Sequence, residues 1–253
     1  MNFVLWATAL GVGLATLVGA LLGFVFKKIS HAFNDMMLGF AAGVMLCAAV
    51  VGLILPALEG GGTVTLFVVI LGVLAGAAVL NCIDRLVPHL HSMADKRGEG
   101  CGKRNPRADK VFLFVLAIAI HNLPEGIAAG VGFGTGDVSG AVSVALGIAL
   151  QNIPEGMVII APMLAAGVSQ RKTLLVAAGT GVIEVVGTLI GYYSARASAA
   201  VLPFALAFAG GTMLYVISDE MIPETHSHGH ERGATYALLL GFCLMIAMDV
   251  LIG

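Results

Sequence analysis

Residues 110–134 read KVFLFVLAIAIHNLPEGIAAGVGFG, and residues 138–166 read VSGAVSVALGIALQNIPEGMVIIAPMLAA. Crossing a bilayer as a helix takes about 20 mostly apolar residues. Both stretches are long enough, yet each carries a carboxylate near its middle, Glu125 in the first and Glu155 in the second. A charge at that depth is costly and marks a functional position by default. The two carboxylates also share a frame. His121-Asn122-Leu123-Pro124-Glu125-Gly126 is matched 30 residues later by Gln151-Asn152-Ile153-Pro154-Glu155-Gly156. Consecutive spans run in opposite directions, so the pair reads as an inverted repeat with broken helices four and five at the centre and a substrate site near the midplane.

The rest of the chain agrees with a membrane setting. It is 58% hydrophobic and 11% charged over 253 residues, whereas a soluble domain carries roughly 25% charged residues. Eight apolar stretches appear, at about 3–26, 36–57, 63–86, 110–134, 138–166, 172–195, 199–222 and 233–252. The expected fold is therefore an all-α integral membrane protein, one eight-helix domain over 1–253 with a long loop at 87–109. Twelve of the 13 Lys and Arg residues fall on one side of this arrangement and only Arg196 on the other. The positive-inside rule then puts both termini outside and loop 87–109 in the cytoplasm, in a multi-pass cytoplasmic membrane protein. The first span is expected to be an uncleaved helix and not a signal peptide, since Lys27 and Lys28 follow its apolar run and no cation precedes it. With a net charge of −2, nothing points to nucleic acid as a partner. Four cysteines, three of them in apolar runs, make no disulfide framework.

Glu125, Glu155 and Glu184 lie deep in spans four, five and six, and no Lys or Arg lies at matching depth. They must be protonated, solvated in a cavity or bound to a cation. His121 and Glu125 are four residues apart and share a helix face, as do Asn122 and Glu125. Each proline removes a backbone donor and frees the carbonyl four residues earlier, at Ile120 and Leu150. Gly126 and Gly156 would let the two helices come close. One histidine among several carboxylates suits a borderline divalent ion such as Zn²⁺ or Fe²⁺ rather than Mg²⁺ or Ca²⁺.

HNLPEG in one span and QNIPEG in the next resemble the signature helices of the ZIP (Zrt/Irt-like) divalent metal transporters. GVMLCAAVVGLILPALE in span two and GTMLYVISDEMIPETH in span seven look closest to the prokaryotic GufA-like branch. The resemblance implies a transport site of His121, Glu125, Gln151 and Glu155, with Met45 as a soft ligand. It implies a second metal position that shares Glu125 and Glu155 and adds Asn122, Asn152 and Glu184. Two departures matter. Gln151 stands where many members have histidine, and Asn152 where the GufA-like pattern often has aspartate. With only three carboxylates, one divalent ion leaves −1 and two leave +1, an excess that is costly at this depth. One tight metal is expected, with a weak or absent second.

On the cytoplasmic side the resemblance implies a release route through Asp219, Glu220, His89, His91 and His230, with His226 and His228 nearby. Glu59 and Asp249 at span ends are candidates for attracting cations outside. The resemblance further implies a homodimer, and a divalent metal (Zn²⁺, and by extension Fe²⁺, Cd²⁺ or Mn²⁺) moving into the cytoplasm as substrate, with no cofactor. Two other classes fit less well. An intramembrane zinc protease needs HExxH, and a di-iron carboxylate oxidase usually brings Glu-x-x-His motifs; neither pattern occurs. A proton-coupled carrier of organic anions would want an intramembrane Arg or Lys, and none is there.

Overall fold

The structure is a computed structural model that describes residues 2–26, 30–59, 61–97, 106–133, 136–198 and 200–252. Side chains at 2, 84, 86–97, 106–115, 117 and 118 lie outside that description, among them His89 and His91. Eight long helices follow one another, and no strand occurs among the described residues. They are α1 (Asn2–Val25), α2 (His31–Leu58), α3 (Thr63–Arg97), α4 (Pro106–Gly132), α5 (Val138–Ala165), α6 (Gln170–Ala197), α7 (Leu202–Thr225) and α8 (Glu231–Ile252). Seven of them, all but α4, contain segments long and apolar enough to cross a membrane within the described residues. The protein is thus a multi-pass, all-helical membrane protein. Large apolar side chains point outward along whole helix faces, as at Phe67, Ile70, Leu71 and Leu74 of α3. Lipid, as apolar as these side chains, is the solvent that accepts them.

The element bounds that differ most from expectation are those of α2 and α3. α2 starts at His31 rather than about 36, capped by the Ser30 hydroxyl, which accepts from the Phe33 amide. α3 runs to Arg97, well past 86. The helix continues past Pro88, which the sequence offers as a stop, into residues 89–97, which are rich in good helix formers and hold no glycine before Gly98. The expected loop of 87–109 therefore reduces to the stretch between Arg97 and Pro106. The prolines do not interrupt the central helices either. α4 and α5 stay helical through Pro124 and Pro154, so the expected breaks amount to one missing backbone donor in each.

α2 and α7 do change their winding. Ala48–Ile54 of α2 and Ile217–Met221 of α7 are wide π turns. In each, an amide just beyond reaches back five residues, Leu55 to the Val50 carbonyl and Ile222 to the Ile217 carbonyl. A proline follows at once, Pro56 or Pro223. It cannot donate to the carbonyl four residues back and its ring crowds that oxygen, and the widened turn absorbs the mismatch.

α1 packs mainly on α5 and α6, α4 on α6, α2 on α8, and α3 on α7. Glycines set how close these pairs come. A Cβ at Gly126 would run into the Glu184 carbonyl of α6, and one at Gly156 into the Thr16 carbonyl of α1. The two motif glycines thus seat their helices on α6 and α1, rather than on each other as the sequence suggested. Gly156→Val should lower the melting temperature and the folded yield in detergent, because backbone cannot step aside as a side chain can. Overpacking of this kind costs about 1–3 kcal/mol. Gly179→Ala in α6, which would meet nothing within 4 Å, should leave the melt unchanged. Equal melts for the two variants would contradict this packing.

Candidate metal site

Among the described residues, fourteen polar or charged ones are buried, and a core group of them comes from α1, α4, α5 and α6. His121 is 7% exposed, Glu125 1%, and Asn122, Gln151, Asn152 and Glu184 0%. The i, i+3, i+4 spacing of α4 and α5 turns these side chains inward together. Glu125, Glu155 and Glu184 lie within electrostatic reach of one another, and His121 and Glu220 lie within reach of Glu155.

The carboxylates divide by how they are satisfied. Glu184 has a full set of partners. The Thr16 hydroxyl donates to its Oε2 at 2.8 Å, and the Asn152 amide donates to its Oε1. The same amide nitrogen donates to the Val12 carbonyl at 3.3 Å. Asn152 in turn accepts from Gln151 Nε2 at 3.4 Å, and the Glu184 carbonyl accepts from the Thr188 hydroxyl at 2.9 Å. Glu125 has the opposite environment. Both of its oxygens are buried without a hydrogen-bond partner, as are both side-chain polar atoms of Asn122 and Oε1 of Gln151. Buried polar groups are almost always paired, and a buried charge left alone costs more still. Four buried acceptor oxygens stand here without a geometric hydrogen bond, beside the amide donors of Asn122 and Gln151, and a cation would satisfy those oxygens.

Glu155 is less buried and borders a cavity of about 700 Å³, together with His121, Asp219, Glu220, Glu224 and His228. His121 Nε2 lies 2.8 Å from Glu220 Oε1, at ion-pair distance but not aligned as a hydrogen bond. This contact joins α4 to the π turn of α7, where the extra residue changes which face Asp219 and Glu220 present. The Tyr215 hydroxyl donates to Asp219 at 3.3 Å and accepts from Asn81 at 2.9 Å.

The predicted residues therefore fall into groups. His121, Glu155, Asp219 and Glu220 meet at the cavity. Glu125, Asn122, Gln151, Asn152 and Glu184 are buried close by. Met45 is buried in the apolar core of α2. His230 is exposed and does not line the cavity. His89 and His91 lie outside the described side chains. Among the described residues, no three His, Cys, Asp or Glu side chains converge at metal-binding distance. The sequence reading missed Thr16, His31 and Asp35. Thr16 is a hydroxyl midway along an apolar span. His31 and Asp35 are a helical i, i+4 pair, hidden by starting the second span at 36.

Comparison with known proteins decides the family. A family model described as ZIP zinc transporter matches residues 89–249, more than half of the chain. The chain belongs to the ZIP zinc transporter family. It is 40% identical to the zinc transporter GufA of Myxococcus xanthus over 95% of this chain and 96% of that protein. It is 39% identical to the zinc transporter ZIPB of Bordetella bronchiseptica over 94% of this chain and 78% of that protein. Likeness extends to the human zinc transporter ZIP11, at 30% identity over 94% of each chain. The resemblance carried by the two PEG motifs thus holds along nearly the whole chain, in bacterial and animal relatives alike.

Proposed function

We propose that this ZIP protein carries a divalent metal ion, Zn²⁺ foremost, across the cytoplasmic membrane into the cytoplasm through a site between α4 and α5. The observation that carries this reading is the unpaired Glu125 carboxylate, buried with the free oxygens of Asn122 and Gln151 close to Glu155 and His121. The relatives named above, each called a zinc transporter, support the class of substrate. His121, Glu125, Gln151 and Glu155 hold the ion, with Met45 as a soft ligand from α2. The carbonyls of Ile120 and Leu150, which lose their donors to Pro124 and Pro154, add oxygens. Fe²⁺, Cd²⁺ and Mn²⁺ suit the same donor set less selectively. The cavity beside Glu155 and Glu220 is the way out to the cytoplasm, with both termini on the far side.

An inverted repeat relates the two ends of one eight-helix domain, and several features favour it. Thr16 and Glu184, which bond each other, are 168 residues apart. Gly13 and Gly181 have the same spacing, and each is the obstacle to a Cβ on the other. So do Gly43-Val44-Met45-Leu46 and Gly211-Thr212-Met213-Leu214, each upstream of a π turn and a proline. Movement of the α1, α4, α5, α6 group against the rest would alternate access to the site. The working unit is a homodimer.

The test is influx. Purified protein in liposomes should admit Zn²⁺ to an internal dye, and Glu155→Ala should abolish the signal. Influx that survives that change would overturn the site, and no influx from folded wild-type protein would overturn the function.

A further inference from the structure

Asp35 has no role in the route above, yet it is fully buried near the start of α2. Its Oδ1 lies 3.1 Å from Nδ1 of His228, in the turn between α7 and α8. Its Oδ2 is buried with no partner at all. The His228 ring stacks on His31, with centroids 4.9 Å apart and 27° between planes. His31 is four residues before Asp35, on the same helix face. His31 and His228 both line the cavity that also reaches Glu155 and Glu220.

An imidazole held through one nitrogen by a carboxylate has its tautomer and ring direction fixed, and offers the other nitrogen outward. Metal-binding histidines are held in this way. Among the described residues, the hydrogen-bond contact of His228 Nε2 is a long one, 3.4 Å to the hydroxyl of its neighbour Ser227, which also lies 3.1 Å from Nδ1. Structural packing alone would give Asp35 a partner for each oxygen, since burying half a carboxylate unpaired is unfavourable. The orphaned Oδ2 leaves Asp35 with negative charge to spare beside the His228 ring, which a cation held by that ring would offset.

We infer that His228 and His31 form a second, weaker divalent-cation site at the mouth of the cavity, with Asp35 as the buried carboxylate that positions His228. Its ligand class is a borderline divalent ion, which imidazole favours over Mg²⁺ or Ca²⁺. The stacked rings do not aim at one point as they stand, so the exposed His31 turns toward the ion on binding. Two imidazoles and water make a labile site, suited to an ion on its way out. The inference rests on the proposed passage of metal through this cavity, and it gives that passage a defined last step.

Calorimetric titration of the purified full chain with Zn²⁺ tests it, with Co²⁺ visible absorption as a second readout. Wild-type protein should show a tight and a weaker class of site. His228→Ala should remove the weaker class alone, and His31→Ala should weaken it. Asp35→Asn, nearly the same shape, should weaken it about 10–100-fold, the usual effect of removing an outer-shell partner. The weaker class should survive in Glu155→Ala, which empties the central site. A weaker class that is absent from wild type, or unchanged in His228→Ala, would overturn the inference. So would lower melting of Asp35→Asn with unchanged binding, which marks a purely structural tie. Loss of the tight class in none of the variants would instead count against the central site and leave this one to stand on its own titration.

Discussion

Glu125→Gln should bind Zn²⁺ about two to three and a half orders of magnitude more weakly than wild type, and influx into liposomes should fall with it. The change keeps shape and volume and removes one charge. Glu125 is 1% exposed, and neither of its oxygens makes a geometric hydrogen bond, Gln151 being the side-chain donor beside it. No Lys or Arg lies at matching depth, so a bound cation is the positive charge best placed to face it. Removing one partner of a buried charge pair costs about 3–5 kcal/mol, and each 1.4 kcal/mol is about a factor of ten. The fold should be indifferent or slightly favoured, because the empty protein no longer buries an unmatched carboxylate. A higher melting temperature without metal, together with weak binding, would separate this from misfolding. Tight binding by Glu125→Gln would mean that Glu125 sits beside the ion's path and not on it.

Asn152→Asp should raise the Zn²⁺ stoichiometry at the centre from one to two. In the wild-type protein the Asn152 amide donates to both Glu184 and the Val12 carbonyl. That –NH₂ group stands where a second cation would meet the same oxygens. Aspartate has no hydrogen to give, so it would face Glu184 as a second buried carboxylate. The empty variant should therefore melt lower than wild type. Added Zn²⁺ or Cd²⁺ should restore it, by about 2.7 kcal/mol at a hundred times the dissociation constant. Thr16→Val, which removes only one donor to Glu184, should lower stability without adding a metal. A single metal in Asn152→Asp, with stability independent of metal, would contradict the idea that the amide holds the second position.

The all-helical architecture and most helix bounds were legible because lipid imposes a simple rule on composition and length. The polar centre was legible for a related reason: carboxylates amid apolar runs have few explanations. What escaped the sequence depends on pairing between distant helices. Nothing local says that Gly126 meets Glu184, or that Gly156 meets Thr16. Thr16 looks like any small residue in a membrane helix until Glu184 is placed beside it. Asp35 reads as a span-end charge, and only the turn carrying His228 shows what it is for. The π turns have a local cause in Pro56 and Pro223, but a proline there is equally compatible with a plain kink. The division among Glu125, Glu155 and Glu184 into free, cavity-lining and tied carboxylates could not be read from three similar glutamates.

The crossing of α1 and α6 at Gly13 and Gly181 has a consequence for how the protein can change over generations. Most tight contacts can drift, since enlarging one residue is forgiven by shrinking its neighbour. Here each partner is already the smallest residue there is, and what it presses on is main chain. No second-site substitution can make room, so random mutagenesis with selection for growth should recover suppressors for many positions but none that act at this crossing.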